Sequence, residues 1–171
     1  STDANMTTGG TYGASSDGAL NHYLALPPAG LSSSSGRIVI KRKYPTLPTA
    51  SNSDFFEWVI DTNNRIYARV QRSAGQYRIV ATHVNNSTAT TATSPLVAIS
   101  NGQELELVVD WSATLGNIYA SLNGNGATSA AGVAAFATEP TADVKIGEDT
   151  SGYASSVTEY TDNIIFSGST R

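Results

Sequence analysis

ELELVVDWSATLGNIYASLNGNG at residues 104–126, DVKIGED at 143–149 and YTDNIIFSG at 160–168 decide how this chain is read. In the first stretch Leu105, Leu107, Val109 and Trp111 alternate with other residues, and past a short turn Ile118, Ala120 and Leu122 do the same. A period of two belongs to a strand with one buried face, whereas a helix repeats every 3.6 residues. Asn123-Gly124 favours a tight hairpin turn, because both residues tolerate positive φ. The two later segments add a strand ending in Ile146-Gly147 and a closing strand that opens with Asp162-Asn163.

The same period runs outward through the rest of the chain. It predicts strands near 20–26, 37–44, 54–61, 65–72, 76–85, 95–99, 104–111, 117–123, 143–146 and 160–166. Thr62 to Asn64 and Ser73 to Gly75 supply the turns of a central meander. Ten or so strands without intervening helices predict an all-β fold, a two-sheet antiparallel jelly-roll sandwich forming one domain over residues 1–171. The Ala-rich stretch 127–138 fits a short helix or a weak strand. Residues 1–10 and the run Ser32 to Ser35 read as flexible or loop-like, having little apolar surface to offset ordering entropy.

Alternation also assigns faces. Phe56, Trp58 and Ile60 are expected inside with Ile66, Ala68, Val70 and the residues quoted above. Phe55, Glu57 and Val59, and likewise Tyr67, Arg69, Gln71, Arg78, Glu106, Tyr119, Ser121 and Lys145, are expected on the opposite, outer faces.

Composition limits the function classes. Charged residues are 14% of the 171, against roughly a quarter in ordinary soluble proteins. Ten basic and 14 acidic residues leave a net charge of −4, so neither nucleic acid nor an anionic membrane is a favoured partner. Cysteine is absent, which rules out disulfides and thiolate metal sites. No apolar run approaches the ~20 residues needed to span a bilayer, and STDANMTTGG lacks the regions of a secretory signal. Ser1 fits the residue left after excision of an initiator Met in a small stand-alone chain; a domain of a longer chain reads the same way.

The order of these C-terminal elements resembles the concanavalin A-like lectin and glucanase domains, especially their laminin G-like branch. In that family a strand with a terminal aromatic precedes a strand and Asn-Gly turn, a later Ile-Gly strand and a final Asp-Asn-Ile strand. DWSATLGNIYASLNGNG, residues 110–126, is also similar to versions of this module in bacteriophage virion proteins. The resemblance covers about residues 54–167. It implies a non-enzymatic module on a virion, or alternatively a cell exterior: a phage tail or head component that binds a host-surface carbohydrate. The alternative it leaves open is a capsid-decorating or cement protein docking on sibling subunits, and a homo-oligomer is expected in either case.

Glycan sites set an aromatic face and hydrogen-bonding side chains against a sugar. Glu57, Tyr67, Arg69 and Tyr119 are the residues expected to form one if their strands are neighbours, with Tyr12 and Tyr153 as an edge alternative. Relatives of this fold often bind calcium through loop carboxylates. Asp61, Glu148 and Asp149 are the candidates for Ca2+, although neither loop has EF-hand spacing and ordinary turns account for both.

A glycoside hydrolase of the same fold is the third reading. Glu104, Glu106 and Asp110 alternate onto one strand face, and retaining hydrolysis needs two carboxyls ~5–5.5 Å apart. The family's Glu-x-Asp-x-Glu pattern is not kept, so these acids are expected to be solvated and no catalytic residue is assigned. His22 and His83 are isolated, and no Ser-His-Asp set can be drawn. Lys41, Arg42 and Lys43 read as charges on an edge strand that discourage sheet addition.

Overall fold

Alternating apolar residues build strands that must each hide one face, and two such sheets stacked together hide both at once. The computed structural model describes residues 14–16, 22–28, 30–148 and 157–168, with only the backbone described at 14–16, 22, 148 and 162. Among these, twelve strands form two six-stranded antiparallel sheets and no helix occurs. The strands are β1 (Ala14–Ser16), β2 (His22–Leu26), β3 (Ser35–Lys43), β4 (Asn52–Asp61), β5 (Asn64–Ser73) and β6 (Gln76–Asn85). They continue with β7 (Thr88–Thr93), β8 (Glu104–Ser112), β9 (Asn117–Leu122), β10 (Asn125–Thr128), β11 (Val144–Glu148) and β12 (Glu159–Ser167). The first sheet runs β1-β12-β3-β8-β9-β10 and the second β2-β11-β4-β5-β6-β7.

The expected meander is present as β4 to β7, joined by tight turns. Asn123-Gly124, Ala74-Gly75 and Asn86-Ser87 all take positive φ, the backbone that matches the twist of a two-residue hairpin. The expected inner residues Leu105, Leu107, Val109, Trp111, Ile118, Ala120, Leu122, Ile66, Ala68 and Val70 are all buried. Trp111 lies at the centre, its ring 6.2 Å from Phe56 and 6.3 Å from Trp58. Each indole N–H donates to a carbonyl in a loop crossing between the sheets, Trp111 to Ser32 at 2.8 Å and Trp58 to Ala142 at 3.1 Å. Gly36 lies under the Trp111 ring, where any Cβ would collide with it.

Several expectations are corrected. β4 carries register shifts between Asp54 and Phe56 and between Val59 and Asp61. A bulge adds a residue to one strand and turns the following side chains. Phe55 is consequently buried, and Ile60, expected inside, is 38% exposed. The strand expected at 95–99 is only a bridge, Val97 to Tyr77, while β7 precedes it in a Thr-rich stretch without apolar periodicity. Ser32 to Ser34 is loop, as expected, closed onto Ser35 by backbone hydrogen bonds with Ser33 fully buried. Residues 1–10 lie outside the described residues.

β3 is a central strand, not an edge. Its Arg42 continues the inward row of Ile38 and Ile40 into the core, where it pairs with Glu159 of β12 at 3.0 Å. Tyr44 and Phe55 flank the guanidinium, each ring centroid 5.9 Å from its carbon.

The stretch 127–138 completes β10 and then crosses one end of the sandwich without helix. Val133 and Phe136 plug that end, and Ser33 ties the crossing down. The Ser33 hydroxyl accepts from the Phe136 N–H at 3.0 Å and donates to Glu139 at 2.7 Å, while its N–H donates to the same carboxylate at 2.6 Å.

His83 faces inward beneath this crossing, buried beside Ile66 and Thr90 with its ring 4.8 Å from Phe136. Neither ring nitrogen has a hydrogen-bond partner among the described residues. Burial holds its pKa below the ordinary value. The unfolded chain therefore takes up the proton first as pH falls. Stability from neutral His83 is complete above about pH 6.5 and declines as pH drops from there toward the depressed folded value. Urea midpoints measured on either side of about pH 6.5 are expected to fall on the acid side, and His83→Leu is expected to flatten that slope. An unchanged slope in the variant would assign the acid sensitivity to other groups.

Candidate functional site

The outer face of the second sheet carries a row of paired residues. Lys145 of β11 stands opposite Glu57 of β4, Glu57 opposite Tyr67 of β5, Tyr67 opposite Thr82 of β6, and Thr82 opposite Thr91 of β7. Residues directly across antiparallel strands have Cβ atoms ~4.5–5.5 Å apart, so these side chains form one continuous strip. Arg65 and Arg69 lie two residues either side of Tyr67 on the same face, and their guanidinium carbons are 4.8 Å and 4.9 Å from its ring centroid. Lys145 places its Nζ 5.0 Å from the ring centroid of Tyr23 on β2.

Acids lie beneath these cations. Glu57 meets Arg65 at 3.7 Å and Asp54 meets Arg69 at 3.5 Å. The acid side chains are 8% and 4% exposed, against 29% and 16% for their arginines. The carboxylates thus fix the guanidiniums from below, and solvent meets mainly arginine and tyrosine.

Of the four expected ligand residues, the structure brings Glu57, Tyr67 and Arg69 together and leaves Tyr119 apart. Tyr119 belongs to β9 in the first sheet and faces outward on the far side of the sandwich. Stacked sheets are ~10 Å apart before their outer side chains are counted, so no single small ligand spans both faces. The hydroxyl end of its ring lies over Gly126 of β10, where only the missing side chain makes room. Tyr12 and Tyr153 lie outside the described residues. Arg65, Asp54, Lys145 and Tyr23 complete the group. Alternation from Tyr67 already points to Arg65, whereas the bulge at Phe55 hides Asp54 from any count by twos.

The acids of β8 sit on the outer face of the first sheet. Lys41 pairs with Glu106 at 3.1 Å and Glu104 at 3.8 Å, and Arg37 pairs with Asp110 at 3.1 Å. Asp110, expected to be solvated, is buried under Arg37. Here the layering is reversed at Lys41, with Glu104 66% and Glu106 40% exposed over a lysine at 31%.

Of the calcium candidates, Asp61 is committed to its own turn. Both Asp61 carboxylate oxygens accept from the side-chain amide of Asn64, at 3.1 Å and 3.2 Å, and one also accepts the Asn63 N–H at 2.7 Å. These bonds hold its pKa below the ordinary carboxylate value and close the turn. Antiparallel pairing of Lys145 with Glu57 sends Glu148 toward the Asp54 end of β4, roughly 20 Å from Asp61, so the two cannot share a cation. Asp149 lies outside the described residues. Among the described residues no group of three or more His, Asp or Glu is placed to hold a metal.

No model of a known protein family matches the chain, and no curated protein sequence matches it. Solved structures do. Domains LG4-5 of the mouse laminin alpha1 chain align with a TM-score of 0.61 and 16% identity over 88% of this chain, which spans 41% of that laminin chain. The heptameric SAP-like pentraxin of Limulus polyphemus aligns with a TM-score of 0.54 and 15% identity, over 85% of this chain and 68% of its own. An alginate lyase from Pseudomonas aeruginosa gives 0.50 and 13%, over 85% and 68%. The chain has the concanavalin A-like fold, an all-β two-sheet antiparallel sandwich.

Proposed function

We propose that this concanavalin A-like sandwich is a non-enzymatic module on the surface of a bacteriophage virion, a tail or head component that binds host carbohydrate through the outer face of its second sheet. The observation that supports the reading is Tyr67 held between Arg65 and Arg69 in a row crossing five strands. Arg65 and Arg69 are already held by Glu57 and Asp54 before any ligand arrives, which lowers the ordering cost of binding. Glu57 and Asp54 are each committed to an arginine, and His83 is buried inward, so the described face offers no evident proton-transfer pair. That supports binding over catalysis.

A glycan array identifies the ligand, and protein analysis of gradient-purified particles places the chain on the virion. Tyr67→Ala and Arg69→Gln are each expected to weaken binding about tenfold, equivalent to about 1.4 kcal/mol; the urea midpoint is expected to change little in Tyr67→Ala and to fall in Arg69→Gln, which leaves the Asp54 carboxylate buried without its counter-charge. Tyr119→Ala is expected to leave affinity intact. Equal loss in all three variants would remove the binding site from this face.

A second reading, a decorating protein docked on sibling subunits, draws on Ile165. It is 55% exposed on the outer face of the first sheet, in register with Val39 and Val108. A defined oligomer in light scattering that Ile165→Asp dissolves would favour it.

A further inference from the structure

We infer that the second sheet binds an anionic polysaccharide, one bearing carboxylate or sulfate groups, with Arg65, Arg69 and Lys145 as the recognising cations; this rests on the glycan-binding reading above. The whole chain carries −4, so nothing global draws an anion to it. The local order of charge does. Arg65, Arg69 and Arg78 of the meander and Lys145 of β11 lie on this one outer face, and the acids paired with Arg65 and Arg69, Glu57 and Asp54, are nearly covered by those arginines. A ligand approaching from solvent meets the cations first. The opposite face has its most exposed acids above Lys41 and repels the same ligand.

Donor counting agrees. A guanidinium has five N–H donors in a planar fork, and one carboxylate can take two of them. Arg65 meets Glu57 at 3.7 Å, longer than a hydrogen bond, and its side chain is 29% exposed. The Tyr67 ring is flanked by both guanidiniums, which leaves less of its faces for stacking on a neutral sugar than an open tyrosine would have. Recognition therefore passes to charge-assisted hydrogen bonds, whose natural acceptors are carboxylate and sulfate oxygens.

The test uses the intact chain on immobilised polygalacturonate, dextran sulfate and neutral dextran. Retention is expected on one or both acidic polymers and not on dextran, and it is expected to fall at least tenfold as NaCl rises from about 0.05 M to about 0.5 M. Lys145→Gln is expected to weaken retention about fivefold at unchanged melting temperature, and Lys41→Gln on the other face to change nothing. Equal, salt-insensitive retention on dextran overturns the anionic class and leaves the carbohydrate platform standing. No retention on any polymer, together with a blank glycan array, overturns both. Retention unaffected by Lys145→Gln but weakened by Lys41→Gln moves the site to the first sheet and overturns the assignment. Release of unsaturated uronates from polygalacturonate upholds the anionic class and overturns the non-enzymatic reading.

Discussion

Glu159→Ala is expected to cost about 3–5 kcal/mol of stability, because it leaves the Arg42 guanidinium buried without its principal counter-charge. The two side chains are 0% and 2% exposed and 3.0 Å apart. The attraction between them offsets desolvation that each alone would suffer in full. The pair also joins β3 to β12 within the first sheet, and the rings of Tyr44 and Phe55 seal it from water. Replacing both partners by apolar residues of similar volume removes charge and counter-charge together. Arg42→Met with Glu159→Leu is accordingly expected to recover most of the loss, and buried pairs of this kind are often neutral or stabilising to replace. Urea unfolding of the two single variants and the double variant measures the coupling directly. Additive losses, with the double variant the least stable of the three, would show that the pair does not act as a unit.

Arg42 also shows where sequence reasoning stopped short. Its position in the row Ile38, Ile40, Arg42, Tyr44 assigns it to the inner face by alternation alone, against the general rule that charges are exposed. β7 was hidden for a different reason. Its inward Thr90 and Ala92 are small or polar, so the strand has no apolar period to detect. Bulges in β4 exchange the places of Phe55 and Ile60, and nothing in the composition of that strand announces them. The alternating strands β3, β5, β8 and β9 were legible because each turns a complete apolar row into the core. Glu57, Tyr67 and Arg69 were legible as neighbours because the Asp61 to Asn64 turn fixes the register of one hairpin. Tyr119 was misplaced because sheet membership is a long-range property, set by which strands cross from one layer to the other.

Trp111→Ala is expected to cost about 3–5 kcal/mol, more than truncating any outward residue named above. The indole is 0% exposed and touches both layers, stacking on Phe56 and tilting against Trp58 of the second sheet while its own strand belongs to the first. Truncation opens a cavity between sheets whose backbones are held apart by their remaining side chains, so little collapse can relieve it. The bond from its N–H to the Ser32 carbonyl is lost as well, about 0.5–1.5 kcal/mol net, and with it a tie on the turn that presents Ser33 to the crossing loop. Trp111→Phe retains most of the apolar area and is expected to cost less than half as much. Gly36→Ala makes the complementary test, because it pushes a methyl into the same ring from below without removing an atom of the core. If the Trp111 cavity and the Gly36 collision each lowered the urea midpoint by less than about 1 kcal/mol equivalent, the sheets would be free to repack around this centre, and a rigid outer face could not follow from a rigid interior.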